Sequence, residues 1–429
     1  MTTETSTGLP AADVAIVRDL AKQLAEIAAL PVQDERIAEW QALNDLRPAR
    51  PMAMIDEIPW HEMAAPGVAG ADELATASTH PFTRELETRI RRELWRWNHA
   101  RVDMVVRPYM DFGKVIRSTG WGLKIQEDTL DQGAGNVVQS HAYSDQLENP
   151  EDIEKFREPE LSLDVAATAE IEARAHECLD GILGVRMQGW HGFEGNQLAY
   201  CIWDDIEQFR GTEPILMDLM DRPEHLHAIA KRYLEVRMAE LDQLEAKGLL
   251  GYDQDRIHCT GAQNSLIPAA GFDAAKPRAK DVWICGRSQL FVSVSDTMFN
   301  EFVPPYYQPY YERFGIAQFG CCDPLHNRID AIRTIPNVRK ISISAWAKIG
   351  KAAESIGPDF VYSRKPNPAM VAMDEWVPEI AEKDFREVLE VTKANGCPVE
   401  FTLKDISTAR KDPVRLWEWA QIAERMTRA

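Results

Sequence analysis

Eight short apolar runs recur along the chain, each ending in a turn of polar or special residues, with helix-like stretches between them. They are "PMAMIDEI" from residue 51, "VDMVVRPY" from 102, "ILGVRMQG" from 182, "RIHCTG" from 256, "GIAQFGCC" from 315, "VRKISISAW" from 338, "DFVYSRKP" from 359 and "CPVEFTLK" from 397. Near-continuous apolar runs are what parallel strands look like when both faces are covered. The intervening helices carry their own punctuation. In "DRPEHLHAIAKRYLEVRMAELDQLEAKG", Pro223 suits the first turn and Gly248 the stop. Leu226, Ile229, Tyr233, Leu234, Leu241 and Leu244 mark one face between them. "EKDFREVLEVTKANG" repeats the design, with Gly396 just before the last run.

Strands that alternate with helices specify an α/β fold, and eight of them suggest a (β/α)8 TIM barrel with an N-terminal helical extension. The alternative is an open doubly wound sheet. Residues 1–50 read as a tail followed by a helical segment, with Val14, Val17, Leu20, Leu24 and Ile27 near one face. Residues 51–429 read as the barrel, because no Gly-, Ser- or Pro-rich linker divides them.

Composition narrows the class of partner. Asp and Glu number 68 against 48 Lys and Arg, a net charge of −20. That excess argues against nucleic acid or an anionic membrane, both of which need clustered cations. Seven cysteines show no framework spacing, so reduced thiols in a reducing compartment are expected. The first residues lack a basic-then-apolar leader, and no run of ~18 apolar residues occurs. A cytoplasmic location is the expectation.

Chemistry in a barrel gathers at the carboxyl ends of the strands. Those ends carry Asp56, Glu57, Trp60 and His61; Arg107, Tyr109 and Asp111; Gln188, Trp190, His191 and Glu194; and His258 with Cys259. Later ends carry Cys321, Cys322, Asp323 and His326; Trp346 and Lys348; Ser363, Arg364 and Lys365; and Lys404 with Asp405. Each has an ordinary reading too. A free cysteine most often packs as a small apolar residue, which fits Cys321, whose side chain should alternate away from that of Cys322. Arg364 and Lys365 could form rim salt bridges, and the tryptophans could simply pack. A metal reading of "GCCDPLH" takes Cys322 with a ligand from another strand end, such as His258, to hold zinc. There is no CxxC pair, HExxH, GxSxG or phosphate-loop motif.

The segments "RPMAMIDEIPWHEM", "FGCCDPLHNRIDAIRTIPNVRKISISAWA", "FVYSRKPNPA" and "CPVEFTLKDIST", followed by "DPVRLWEWAQIA", resemble the uroporphyrinogen decarboxylase superfamily. Within it they are similar to the branch of corrinoid-dependent methyltransferases and O-demethylase methyltransferase components. The resemblance is best over residues 315–425. It implies the same (β/α)8 barrel and, in the zinc-dependent members, a His-x-Cys pair after one strand and a Cys after the last. Cys322 matches the cysteine of the pair. Gly320 stands at the histidine, and Asp405 or Ile406 at the final cysteine. An Arg-rich loop for a polycarboxylated tetrapyrrole is replaced by Asp56, Glu57 and Glu62.

The resemblance implies transfer of a methyl group from a small O-methyl substrate, aromatic ethers among the candidates, to a corrinoid protein that supplies the cobalamin. The leaving oxygen needs a proton or a Lewis acid. His191, His258 and His326 are the candidates, with Asp323 or Glu194 to orient them. Trp60, Tyr109 and Trp190 would stack the substrate, and Arg364 and Lys365 would hold a carboxylate or face the partner. A homodimer is compatible with this reading. The alternatives are a cofactor-free decarboxylase or other lyase of the same superfamily, and a non-catalytic ligand-binding barrel.

Overall fold

Eight parallel strands do form, but they divide into two ladders. The computed structural model describes residues 8–130, 140–191, 198–252 and 255–429. Its parallel strands are β1 (Met52–Ile55), β2 (Tyr109–Gly113), β3 (Gly184–Gln188), β4 (Trp283–Gly286), β5 (Ile316–Phe319), β6 (Val338–Ile343), β7 (Val361–Arg364) and β8 (Val399–Leu403). Six of them make one sheet in the order β1-β8-β7-β6-β5-β4, and β2 pairs with β3 separately. The neighbour order is the cyclic order of a barrel. Among the described residues no ladder joins β1 to β2 or β3 to β4. After β3 the chain instead bridges Trp190 to Leu250. Gly189 permits that approach, since a Cβ there would lie 2.0 Å from the Leu249 carbonyl oxygen.

Two of the eight expected runs behave differently. The run from 102 becomes a strand only at its end, where β2 begins at Tyr109. The run from 256 turns back on itself: Arg256 pairs with Gly261 and Ile257 with Thr260 in an antiparallel hairpin. His258 and Cys259 take left-handed φ values of 25° and 58°, which reverses the chain before a parallel strand can form. The strand that takes its place in the sheet is β4, from "DVWICG", whose four paired residues give too short a signal to stand out between long loops.

The six-stranded sheet is buried on both faces, one largely apolar and the other carrying a row of polar side chains among its apolar ones. Ile341, Ile343, Tyr362, Phe401 and Leu403 are buried in the main core with the helices. Those helices include α6 (Pro378–Ala394) and α7 (Val414–Thr427), completing a set with α1 (Ala11–Ala28), α2 (Pro31–Asn44), α3 (Pro81–His99), α4 (Val165–Leu179) and α5 (Pro223–Ala246). Phe401 meets Phe385 of α6 at 4.3 Å, and Phe385 meets Trp419 of α7 at 5.5 Å. Polar residues at the alternate positions are also buried: Gln318, Lys340, Ser342, Ser363, Lys365, Glu400, Thr402 and Lys404. Period-2 alternation puts them together on the other face.

The hairpin caps that polar face. Lys340 Nζ donates to Glu400 Oε2 at 2.7 Å, to Thr260 Oγ1 at 2.9 Å and to the Gly261 carbonyl at 2.7 Å. Glu400 also accepts from the hydroxyls of Thr260 and Ser363. Both charged side chains are fully buried. Burial pushes the Lys340 ammonium down to about 8, opposed by Glu400. Burial would raise Glu400, but Lys340 and Lys365 hold it below the usual carboxylate range.

A second core sits under the β2–β3 pair. Val17, Leu20 and Leu24 of α1 pack with Leu86, Ile90 and Leu94 of α3, with Cys178 and Leu179 of α4, and with Met110 and Phe112 of β2. The N-terminal helix is therefore part of the packing. Asp13 fixes it by accepting from the amides of Thr79 and His80, at 2.9 and 2.8 Å, at the start of α3. Helix α5 starts and stops at the expected residues: Pro223 opens it and Gly248, at φ 63°, follows it. No helix among the described residues is long and apolar enough to cross a membrane.

The buried pair generates a stability prediction. Lys340→Met leaves Glu400 charged and unpaired, and should cost about 3–5 kcal/mol in a chemical denaturation series. Removing both charges in Lys340→Met with Glu400→Leu should cost less than the single change. A Lys340→Met protein within about 1 kcal/mol of wild type would show that the pair does not close the sheet.

Candidate functional site

The turn after β5 places two sulfurs side by side. Gly320 adopts φ 94°, and a Cβ there would lie 2.3 Å from Leu325 Cδ1, so only glycine fits. The chain then presents Cys321 Sγ 3.5 Å from Cys322 Sγ. Lys404, at the end of β8, sets its Nζ 3.1 Å from Cys321 Sγ and 3.1 Å from Asp405 Oδ2. Cys322 Sγ lies 3.3 Å from the same Asp405 oxygen. Glu57, after β1, accepts from the Asp405 amide at 2.8 Å and faces Cys259 Sγ at 3.4 Å. Three strand ends and the hairpin thus converge on one cluster.

Its electrostatics are unequal. The Cys321 thiol is held low by its contact with Cys322, against burial, and then by His258 and Lys404. Cys322 is pushed up by the same contact and by burial. The two thiols therefore titrate as a pair and not as independent groups. Burial would lower Lys404, but Cys259, Cys321, Asp405 and Cys322 raise it. Backbone strain gathers here as well. Nine described non-glycine residues have left-handed φ, and Glu57, His258, Cys259 and Asp405 are four of them. Strain concentrated at one cluster of reactive side chains points to a site.

A cavity of about 700 Å³ opens between β1 and β2, where the ladder is missing. Trp60, Tyr109, Phe112 and Tyr252 give it aromatic walls, and His191 and His258 both border it. Helix α3 contributes Arg89, Arg92 and Arg96. Trp60 stands edge-on to Trp95 at 5.4 Å and carries the Arg92 guanidinium over its ring at 5.1 Å. The Arg186 guanidinium covers the Tyr109 ring at 3.5 Å while making two 2.8 Å bonds to Asp111.

The expected site residues separate accordingly. His191, His258, Trp60 and Tyr109 share the cavity, and His258 also acts on the Cys321 thiol of the cluster that holds Cys322. Cys321, expected to pack, is the sulfur that meets Lys404. Arg364 needs correction. As a helix-facing residue of β7 it bonds Asp384 of α6 at 2.5 Å and the Ser344 carbonyl at 2.8 Å, on the face away from the polar row. Lys365 is also committed: its Nζ donates to the Cys259 carbonyl at 2.5 Å and to Ser363 Oγ at 2.9 Å, pinning the hairpin. Trp190 pairs with Leu250 and packs against the main core. His326 is buried on a short turn, where burial, Lys348 and Lys351 lower it. Asp323 is buried behind the thiols, and neither carboxylate oxygen has a hydrogen-bond partner among the described residues. Glu194 lies outside the described residues.

The zinc expectation can be tested on the donors. Among the described residues no group of three or more His, Cys, Asp or Glu side chains is placed to hold a metal ion. The Lys404 ammonium already occupies the position between Cys321 and Asp405 that a cation would take. The arrangement does not fit zinc.

The α3 arginines were missing from the sequence reading. Their spacing in "TRIRRELWR" puts residues 89, 92 and 96 on one helical face, a signal that was available.

No family model matches the chain, and no curated protein matches it. Among solved structures, a methyltransferase from Methanosarcina mazei aligns with 92% of this chain over 99% of its own, at TM-score 0.48 and 11% sequence identity.

Asp323 generates a pH prediction. Burial, then Asp204 and Cys321, push its carboxyl up to about 8. The folded chain therefore binds a proton that the unfolded chain releases near pH 4, and this group makes stability fall as pH rises from about 4 to about 8. Asp323→Asn stays uncharged throughout. Its Tm relative to wild type should be more favourable at pH 8 than at pH 5. Parallel Tm–pH curves would show that Asp323 is not buried as an acid.

Proposed function

We propose that the chain is a methyltransferase that takes a methyl group from a small O-methyl compound, with a reduced corrinoid on a partner protein as acceptor. On this reading the eight strands act as a (β/α)8 barrel whose β1–β2 seam is opened to admit substrate, and the protein works in the cytoplasm. One observation carries it: His191 and His258 border the same cavity as the aromatic rings of Trp60, Tyr109 and Phe112. An ether is a poor methyl donor because its oxygen leaves with a full negative charge. Imidazole is the side chain whose ordinary titration brackets neutrality, so it can deliver a proton to that oxygen.

The corrinoid supplies the electron pair that accepts the methyl group. The remaining work falls to this chain. The aromatic walls hold the ring and exclude water, and one imidazolium N–H lies against the ether oxygen. As the methyl C–O bond breaks, its electron pair stays on oxygen, the proton passes to that oxygen, and a phenol or alcohol leaves with a neutral imidazole behind it. Positioning and proton transfer together are the contributions such a cavity makes. No step needs zinc.

A panel of methoxyarenes with a reduced corrinoid acceptor tests the reading. Replacing the proton donor, in His191→Ala or His258→Ala, should lower kcat by about 10²–10⁴-fold with a smaller change in KM. The donor variant should also lose one limb of the pH–rate profile. Full turnover in both variants would remove the proposed acid, and release of carbon dioxide without methyl transfer would replace the reaction class.

A further inference from the structure

The charges lining the cavity do not balance locally. Most of its carboxylates already have a guanidinium partner. Asp56 and Glu93 pair with Arg256 at 3.5 and 3.8 Å, and Glu93 also meets Arg96 at 3.4 Å. Asp103 meets Arg50 at 2.7 Å, Asp255 meets Arg107 at 2.7 Å, and Asp111 is held by Arg186. Glu57 is engaged with the Asp405 amide and Cys259.

Two cations are left over on the same wall. Among the described residues Arg92 makes no hydrogen bond and no ion pair; its contact is the face of Trp60 at 5.1 Å. Arg89 gives one bond to the Asp111 carbonyl at 2.8 Å, lies 5.4 Å over the Phe112 ring, and makes no ion pair among the described residues. A guanidinium carries five N–H donors in a planar fork, so most of this donor capacity is unspent. Both side chains line the cavity, and their spacing of three puts them on one face of α3.

We propose that Arg89 and Arg92 form an anion subsite that takes the carboxylate of a small ring-bearing acid. The planar fork matches a carboxylate's two oxygens. The Trp60 ring beside the Arg92 guanidinium, half-buried at the cavity wall, supplies an apolar surface for the body of the ligand next to its charged end. About 700 Å³ is room for a ligand of that size. Desolvation lowers the Arg92 guanidinium with no charged neighbour to offset it, as expected of a cation whose counter-ion is the ligand. The subsite also replaces the role first given to Arg364 and Lys365. It deepens the methyl-transfer reading by giving the donor a carboxylate, but it rests on that reading only for the methoxy group of the probe.

Binding is measured directly, by calorimetric titration of the full chain with 4-methoxybenzoate, 4-methoxybenzamide and 4-methoxyphenylphosphonate. The acid should bind at least about tenfold tighter than the amide, which keeps the ring and loses the charge. Arg92→Ala and Arg89→Ala should each weaken the acid about ten- to a hundredfold and leave the amide unchanged, with Arg92→Lys in between. Thermal melts at the wild-type midpoint establish that the variants fold, as expected for side chains with so few internal bonds. Equal binding of acid and amide, no binding of the acid, or full affinity in both alanine variants would overturn the subsite. Tighter binding of the phosphonate would overturn the assignment to carboxylate. Arginine-dependent binding of the acid without demethylation would uphold the subsite and sink the methyl-transfer reading.

Discussion

The contact between Lys340 and Glu400 is the constraint on which the site is built. A lysine and a glutamate with no exposed surface are tolerable only if each is matched by the other and by further polar groups. Here the further groups come from Ser363 on the strand between them and from Thr260 and Gly261 in the hairpin. The demand for partners therefore locks a loop onto the sheet. That loop carries His258 and Cys259, and Lys365 binds its backbone a second time. The polar row thus helps to hold His258 beside the thiols after β5, together with Asn44 and Trp283, whose side chains bond the Gly261 and Ala262 carbonyls.

This explains which parts of the fold were legible from the residues. Helix α5 was readable because a proline, an apolar stripe and a glycine agreed with one another over a long stretch. The runs at β5 to β8 were readable as strands, but their polar alternates were passed over as interruptions in apolar runs. Lys340, Ser342, Glu400 and Thr402 are in fact a second buried face. Two-sided burial normally removes polar residues, so a reading of near-continuous apolar runs had no place for a buried polar row. The hairpin misled for a different reason. "RIHCTG" has the composition of a strand, and only the left-handed backbone at His258 and Cys259 bends it.

Legibility of the site was uneven for related reasons. Cys322 and His191 follow strands, so connectivity alone places them at strand ends, whereas His258 lies on the hairpin turn. Arg364 was misplaced by one residue of alternation: Ser363 and Lys365 look onto the polar row, whereas Arg364 looks at α6. The arginines of α3 escaped because they lie on a helix between strands rather than at a strand end. A helix can line a cavity there only because the ladder between β1 and β2 is absent.

That missing ladder has a further consequence. Paired strands are held about 4.8 Å apart by backbone geometry, whatever their side chains. Across the open seam a single backbone bond, from the Asp103 amide to the Ala53 carbonyl at 3.2 Å, is supplemented by side-chain struts: Arg96 of α3 reaching the Ile55 carbonyl at 2.8 Å, and Arg50 bracing Asp103. Strut length is written in side chains and can change by single substitutions. Substitutions at these struts would therefore change the width of the chamber while leaving the backbone ladder of the six-stranded sheet in place.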